Sequence, residues 1–180
     1  NKMMHLVTGG SGSGKSAYAE HCIQELGGTK RIYLATMQPF GAEGQARIAR
    51  HRKMRAAKQF TTIECYTGLK QVEIAPGNDV LLECMSNLTA NEIFDPSGAG
   101  KERAEEEILA GVLHLAHQAR NLVLVTNEIF SDGYRYEEET VEYQRILGRI
   151  NVRLAKMADC VTEVVYGIPV RIKDNENNME

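Results

Sequence analysis

The sequence predicts an α/β fold: a mostly parallel central sheet flanked by helices, with antiparallel strands at the C-terminal end. Three observations carry that expectation. Short continuous apolar runs such as Asp79–Met85 (DVLLECM) and Asn121–Glu128 (NLVLVTNE) suit strands buried on both faces, the pattern of a parallel sheet. The longer segments between strands repeat apolar residues at helical spacing. The first strand runs directly into a glycine-rich turn and then a helix.

In chain order, Met4–Thr8 is a short strand and Lys15–Gly27 a helix stopped by Gly27-Gly28. Arg31–Met37 (RIYLATM) is a second strand, Gly44–Ala57 a strongly basic helix, and Thr61–Tyr66 (TTIECY) strand-like. Pro76-Gly77-Asn78 opens the buried strand Asp79–Met85. Glu102–Arg120 places Ile108, Val112, Leu115 and Ala119 on one helical face. Asn121–Glu128 is a strand, and Glu137–Ala158 a helix that aligns Tyr143, Ile146, Leu147, Ile150 and Leu154. Core packing explains both stripes. Cys160–Tyr166 and Pro169–Lys173, split at Gly167, form a terminal pair close enough to be antiparallel. No repeat or linker divides residues 3–173, which are expected to form one domain, with 174–180 a polar tail.

Bulk properties narrow the function. The 180 residues are 43% apolar and 25% charged, with net charge −3, so no overall basic surface points to nucleic acid or anionic membrane. No apolar run approaches the roughly 20 residues that span a bilayer, and Asn1-Lys2-Met3-Met4 is too short for a signal peptide. Cys22, Cys65, Cys84 and Cys160 form no CxxC pair, which argues for free thiols and a cytoplasmic protein.

Gly9–Ser16 reads GGSGSGKS, matching G-x-x-x-x-G-K-[ST]. The small residues Gly9, Gly10, Ser11, Gly12, Ser13 and Gly14 let the backbone wrap so that N–H groups face phosphate oxygens, and the following helix adds its positive dipole end. Lys15 supplies charge to the β- and γ-phosphates, and Ser16 offers a hydroxyl to Mg²⁺. A second acidic group near the metal is expected at a strand end. Glu83 and Glu128 are the alternatives, and a helix-capping carboxylate is the plain reading of either.

The segment 44–58 (GQARIARHRKMRAAK) gathers Arg47, Arg50, Arg52, Lys53, Arg55 and Lys58 around His51, with Glu43 the only nearby acid in sequence. A cluster of one sign points to an anionic partner. Helical spacing sets Arg47, His51 and Arg55 on one face. Flanking cations favour neutral imidazole, which can attack phosphorus while guanidinium groups neutralise the phosphates. The plainer reading is a basic face that clamps a triphosphate. His5, His21, His114 and His117 read as structural.

The segments VTGGSGSGKS (7–16), IYLATM (32–37), RIARHRKMR (47–55), TIE (62–64), LLECMSNLTAN (81–91), LVTNEI (124–129), GRINVRLAKMAD (148–159) and GIPVRIK (167–173) run in order over essentially the whole chain. In them the sequence resembles the bifunctional adenosylcobinamide kinase / adenosylcobinamide-phosphate guanylyltransferase family of cobalamin biosynthesis. The resemblance implies a RecA-like P-loop fold and a homotrimer. It implies that adenosylcobinamide is phosphorylated by a nucleoside triphosphate (ATP or GTP), with Mg²⁺. A histidine then carries GMP from GTP to adenosylcobinamide phosphate, giving GDP-adenosylcobinamide. The implied catalytic residues are His51 and Lys15, and the implied metal site is Ser16 with Glu83. Nucleotide contacts fall on Gly9–Ser16, on Ala35, Thr36 and Met37, on Arg52, Lys53, Met54 and Arg55, and on Glu64 and Glu83. The chain departs from the family at Gly12, where many members carry arginine, at Arg50, which is not a second histidine, and over 129–140 (IFSDGYRYEEET). The competing expectations are a single-activity small-molecule kinase and a nucleotide switch; the NKxD string that a switch favours is absent.

Overall fold

The computed structural model describes residues 2–39, 41–127 and 138–175. Among these residues seven strands form one sheet: β1 (Met3–Gly9), β2 (Arg31–Ala35), β3 (Phe60–Glu64), β4 (Asp79–Leu82), β5 (Asn121–Asn127), β6 (Cys160–Val165) and β7 (Ile168–Asp174). Their order is β3-β2-β4-β5-β1-β6-β7. Every neighbouring pair is parallel except β6–β7, the antiparallel pair that the sequence predicts. The helices are α1 (Lys15–Glu25), α2 (Gly41–Ala57), α3 (Met85–Phe94), α4 (Ala104–Gln118) and α5 (Glu138–Met157). Among the described residues, no helix is long and apolar enough to cross a membrane.

The continuous apolar strands are buried on both faces because the pleat sends alternate residues to opposite layers. Leu6, Val80, Leu82, Leu122 and Leu124 join one core with Met85, Ile108, Leu115 and Ile150 of the helices. Their neighbours Val7, Leu81, Val123 and Val125 join a smaller core with Ala19 and Ile23 of α1. At the amino end of the sheet, buried Asp79 accepts from Arg120 Nε (3.0 Å), Arg120 Nη2 (2.9 Å) and Asn121 Nδ2 (3.0 Å). That cluster staples β4 to β5 at the end opposite the phosphate loop.

The largest departure from expectation lies after β4. The apolar run read as a strand to Met85 stops at Leu82, and Met85 opens α3, a helix the sequence reading missed. Cys84, in extended conformation, caps α3: its Sγ accepts from Asn87 N at 3.5 Å. Ser86, Asn87, Thr89 and Asn91 are weak helix formers, so tertiary packing of Met85 and Leu88 decides the helix. Elsewhere the boundaries move by a few residues. α2 begins at Gly41 rather than Gly44, α4 at Ala104 rather than Glu102, and β2 ends at Ala35 rather than Met37. β3 ends at Glu64, and β7 runs on to Asp174, paired with Cys160.

Candidate functional site

The carboxyl ends of the parallel strands supply the site, as open α/β sheets do. β1 delivers the glycine loop. Its shape is fixed by contacts that exclude larger side chains: a Cβ on Gly9 would lie 2.5 Å from Ser13 Oγ and 2.8 Å from Val164 O. Gly14 holds φ +92°, left-handed backbone that favours glycine, at the N-cap of α1. The β6–β7 turn braces the loop from outside, where Gly167 N donates to Ser13 O at 2.7 Å. The first turn of α1 contains no acidic residue, which leaves its positive end uncompensated. Lys15 Nζ donates to Gly10 O at 3.0 Å, so the ammonium lies back over the loop.

Beside the loop opens a cavity of about 400 Å³ whose lining includes Lys15, Ser16, His51, Arg55, Glu83 and Asn127. Residues from α1, α2 and the ends of β4 and β5 therefore meet in one space. Met37 and Met54 line it too. Ala35 and Glu64 sit with His51, Arg55 and Glu83 around a smaller adjoining recess. Thr36 is fully buried, and its hydroxyl donates to Cys84 O at 3.0 Å. The Thr36 hydroxyl pins β2 to the start of α3, and Thr36 and Met37 also line a second cavity of about 500 Å³. Arg52 pairs with Glu64 at the rim. Lys53 is exposed and lines none of these spaces. Glu128 and the segment 128–137 lie outside the described residues.

The basic helix is less unbalanced than its sequence implies. Acids from other elements meet it: Glu64 faces Arg52, Glu83 Oε2 lies 3.9 Å from Arg55 Nη1, and Glu20 of α1 lies 2.7 Å from Lys58 Nζ. Reading Glu43 as the only nearby acid fails because these partners are distant in sequence. Arg55 is only 6% exposed; its guanidinium stacks 4.1 Å from the Tyr33 ring centroid and its Nε donates to Thr62 Oγ1 at 3.3 Å. Burial, followed by the Glu83 charge, pushes the Tyr33 phenol far above its ordinary range. Cys84 also lines the cavity, but burial raises its thiol above the ordinary value, so thiolate is scarce. Imidazole is the better-placed nucleophile there.

The oxygen donors fit a small hard cation. Glu83 Oε1 and Asn127 Oδ1 are buried and have no hydrogen-bond partner among the described residues. With the Ser16 hydroxyl they line the same cavity, an all-oxygen set suited to Mg²⁺ bound with a nucleotide. Asn127 was missed by sequence reasoning, which weighed its neighbour Glu128; its position at the end of the apolar run was the available signal. Of the histidines read as structural, His5 is buried with Nε2 2.8 Å from Thr162 Oγ1, and His114 Nε2 lies 3.1 Å from Val72 O.

Residues 5–172 match the family described as cobinamide kinase / cobinamide phosphate guanyltransferase. The bifunctional adenosylcobalamin biosynthesis protein CobU of Salmonella typhimurium is 36% identical over 184 residues, spanning 95% of this chain and 100% of that protein. The protein of the same name from Escherichia coli is 34% identical with the same coverage. Among solved structures, an ATPase domain superposes with a TM-score of 0.50 at 8% identity, over 97% of this chain and 78% of that one. At such low identity the likeness bears on fold alone, and the fold is of the RecA-like P-loop type.

Proposed function

The chain belongs to the cobinamide kinase / cobinamide phosphate guanyltransferase family, and from that premise we propose that it catalyses two reactions at one site. In the first, the terminal hydroxyl of the aminopropanol arm of adenosylcobinamide takes the γ-phosphoryl group of ATP or GTP. In the second, His51 attacks the α-phosphorus of GTP, pyrophosphate leaves, and GMP passes to the new phosphate to give GDP-adenosylcobinamide. The observation that carries this reading is the shared cavity: His51 lines the same space as Lys15 and Ser16. A plain kinase has no need of a nucleophile there.

The chain's own groups divide the work. Lys15 and the loop amides hold the phosphates, and Arg55 and Lys58 offset charge that develops on the departing group. His51 supplies the lone pair that forms the P–N bond. Mg²⁺, held by Ser16, Glu83 and Asn127, would supply charge neutralisation on the triphosphate. The cytoplasm is the location in the same proposal, and a homotrimer is the assembly. In β7, Ile168 and Val170 are exposed on one face beside Val165, an apolar edge that self-association would cover.

The test is incubation with α-labelled GTP and Mg²⁺ without acceptor. The expected result is an acid-labile, alkali-stable protein label with release of pyrophosphate, absent in His51→Ala. Label persisting in that variant would move the nucleophile elsewhere, and no label in the unaltered protein would leave the single-activity kinase.

A further inference from the structure

The cations of α2 fall into two groups. Arg52, Arg55 and Lys58 each face a carboxylate. Arg47 and Arg50 have no ion-pair partner among the described residues; the one polar contact of Arg47 is from Nη2 to Met37 Sδ at 3.2 Å, a weak acceptor. Both line the second cavity of about 500 Å³. Its other wall is α3, which contributes Asn87 and Asn91. Asn91 is fixed, donating from Nδ2 to Thr36 O at 2.8 Å. The Asn87 side chain makes no hydrogen bond among the described residues, and Asn87 and Met37 line both cavities. The two spaces therefore meet at Met37 and Asn87. His51 lines the first, one residue after Arg50 and one helical turn after Arg47.

We propose that the second cavity seats the phosphate monoester that accepts GMP, with Arg47 and Arg50 binding that phosphate and Asn87 at the junction with the nucleotide. This rests on the two-reaction reading above and names a subsite within it. Two guanidinium groups that face a concave space and have no ion-pair partner among the described residues call for an anion, and a monoester phosphate offers oxygens for bidentate pairing. The triphosphate is already served in the first cavity by Lys15, Arg55 and Lys58. The volume sets the scale: about 500 Å³ holds a drug-sized group, far less than a corrinoid with its adenosyl ligand, so the arm's phosphorylated end enters and the ring stays outside. Glu43 lines the same cavity, one turn before Arg47, and opposes a dianion there.

The step balances. An acceptor phosphate oxygen forms a P–O bond to the α-phosphorus and the P–N bond breaks. The electron pair returns to the ring nitrogen, which restores the neutral imidazole that made the first attack. The in-line requirement sets the entering oxygen across the phosphorus from His51.

The experiment separates the half-reactions: GMP loading from α-labelled GTP, then discharge to added adenosylcobinamide phosphate. Arg47→Ala and Arg50→Ala are expected to lower discharge by about 10- to 100-fold, chiefly through acceptor KM, while loading changes by about threefold or less. Arg50→Lys should recover part of the loss, and Glu43→Gln should lower acceptor KM. Parallel loss in both half-reactions would assign the arginines to GTP, and unchanged discharge would remove the subsite; either overturns the proposal. Should the unaltered protein take no label, the two-reaction reading fails, and calorimetric binding of 1-amino-2-propanol O-phosphate then judges the cavity by itself. Binding lost in the arginine variants would retain the cavity as a phosphate-monoester site; equal or absent binding would overturn it.

Discussion

The phosphate loop and the α2 wall face each other across one cavity, yet they are encoded in opposite ways. The loop is local. Eight contiguous residues set its path, and its constraints lie in the backbone: Gly9 has no room for a Cβ and Gly14 holds φ +92°. The wall is non-local. Its cations are placed by acids on three other elements, Glu64 on β3, Glu83 after β4 and Glu20 on α1. A contiguous motif therefore reports its own geometry, whereas a charge cluster reports only half of an electrostatic balance. The wall also contains two kinds of arginine, buried and exposed, and that difference is open to measurement.

The largest effect on stability is expected at Arg55. Met in its place keeps most of the apolar stem but leaves the Glu83 side chain, 16% exposed, without its cation and with Oε1 buried and unpartnered among the described residues. Arg55→Met should cost about 3 kcal/mol in urea unfolding, with weaker GTP binding alongside. A loss under about 1 kcal/mol would mean that the 3.9 Å pair is solvated and that Arg55 behaves like a surface cation.

On the loop side, the comparable buried group is His5 in β1, which packs edge-on against Tyr18 of α1 at 6.1 Å. Burial lowers its pKa to about 4; the Arg171 charge assists and Asp174 opposes. In the unfolded chain the imidazole titrates near 6.5, so between about 6.5 and 4 the unfolded state binds more protons than the folded one. The His5 contribution is therefore fully present above about pH 6.5 and is lost as pH falls toward 4. From pH 7 to 5 the loss should be on the order of 2 kcal/mol. His5→Gln, which keeps a polar partner for Thr162, should flatten the difference in urea unfolding between those pH values. Equal slopes in the two proteins would place the acid sensitivity elsewhere.

The same contrast explains what was legible in the sequence. Strands and long helices were readable because their periodicities are strong, and the loop because its motif specifies a backbone. The helix α3 was hidden: Ser86, Asn87, Thr89 and Asn91 have little helical propensity, and the apolar run DVLLECM continues across the strand end. Asn127 was hidden by its acidic neighbour. The His51 side chain was legible as a candidate, but its meeting with Lys15 and Ser16 depends on how α2 packs over the carboxyl ends of the strands, and helical spacing alone says nothing of that. Thr36, expected as a nucleotide contact, has its hydroxyl turned to Cys84 O, a pairing that joins β2 to a helix the sequence reading did not contain.

The smallest effect is expected at Arg52, three residues from Arg55 on the same helix. Its partner Glu64 ends β3, and the two side chains are 53% and 34% exposed. Water already solvates both charges, and holding two long side chains together costs entropy that offsets most of the attraction. Arg52→Met should therefore change unfolding free energy by about 0–1 kcal/mol, and by less at high salt, where screening acts on exposed pairs first. Measured beside Arg55→Met, the pair of variants tests whether burial, rather than the presence of an acid partner, divides the cations of α2. A loss at Arg52 equal to that at Arg55 would show that the Glu64 contact anchors the whole helix against β3, and the division by burial would have to be abandoned.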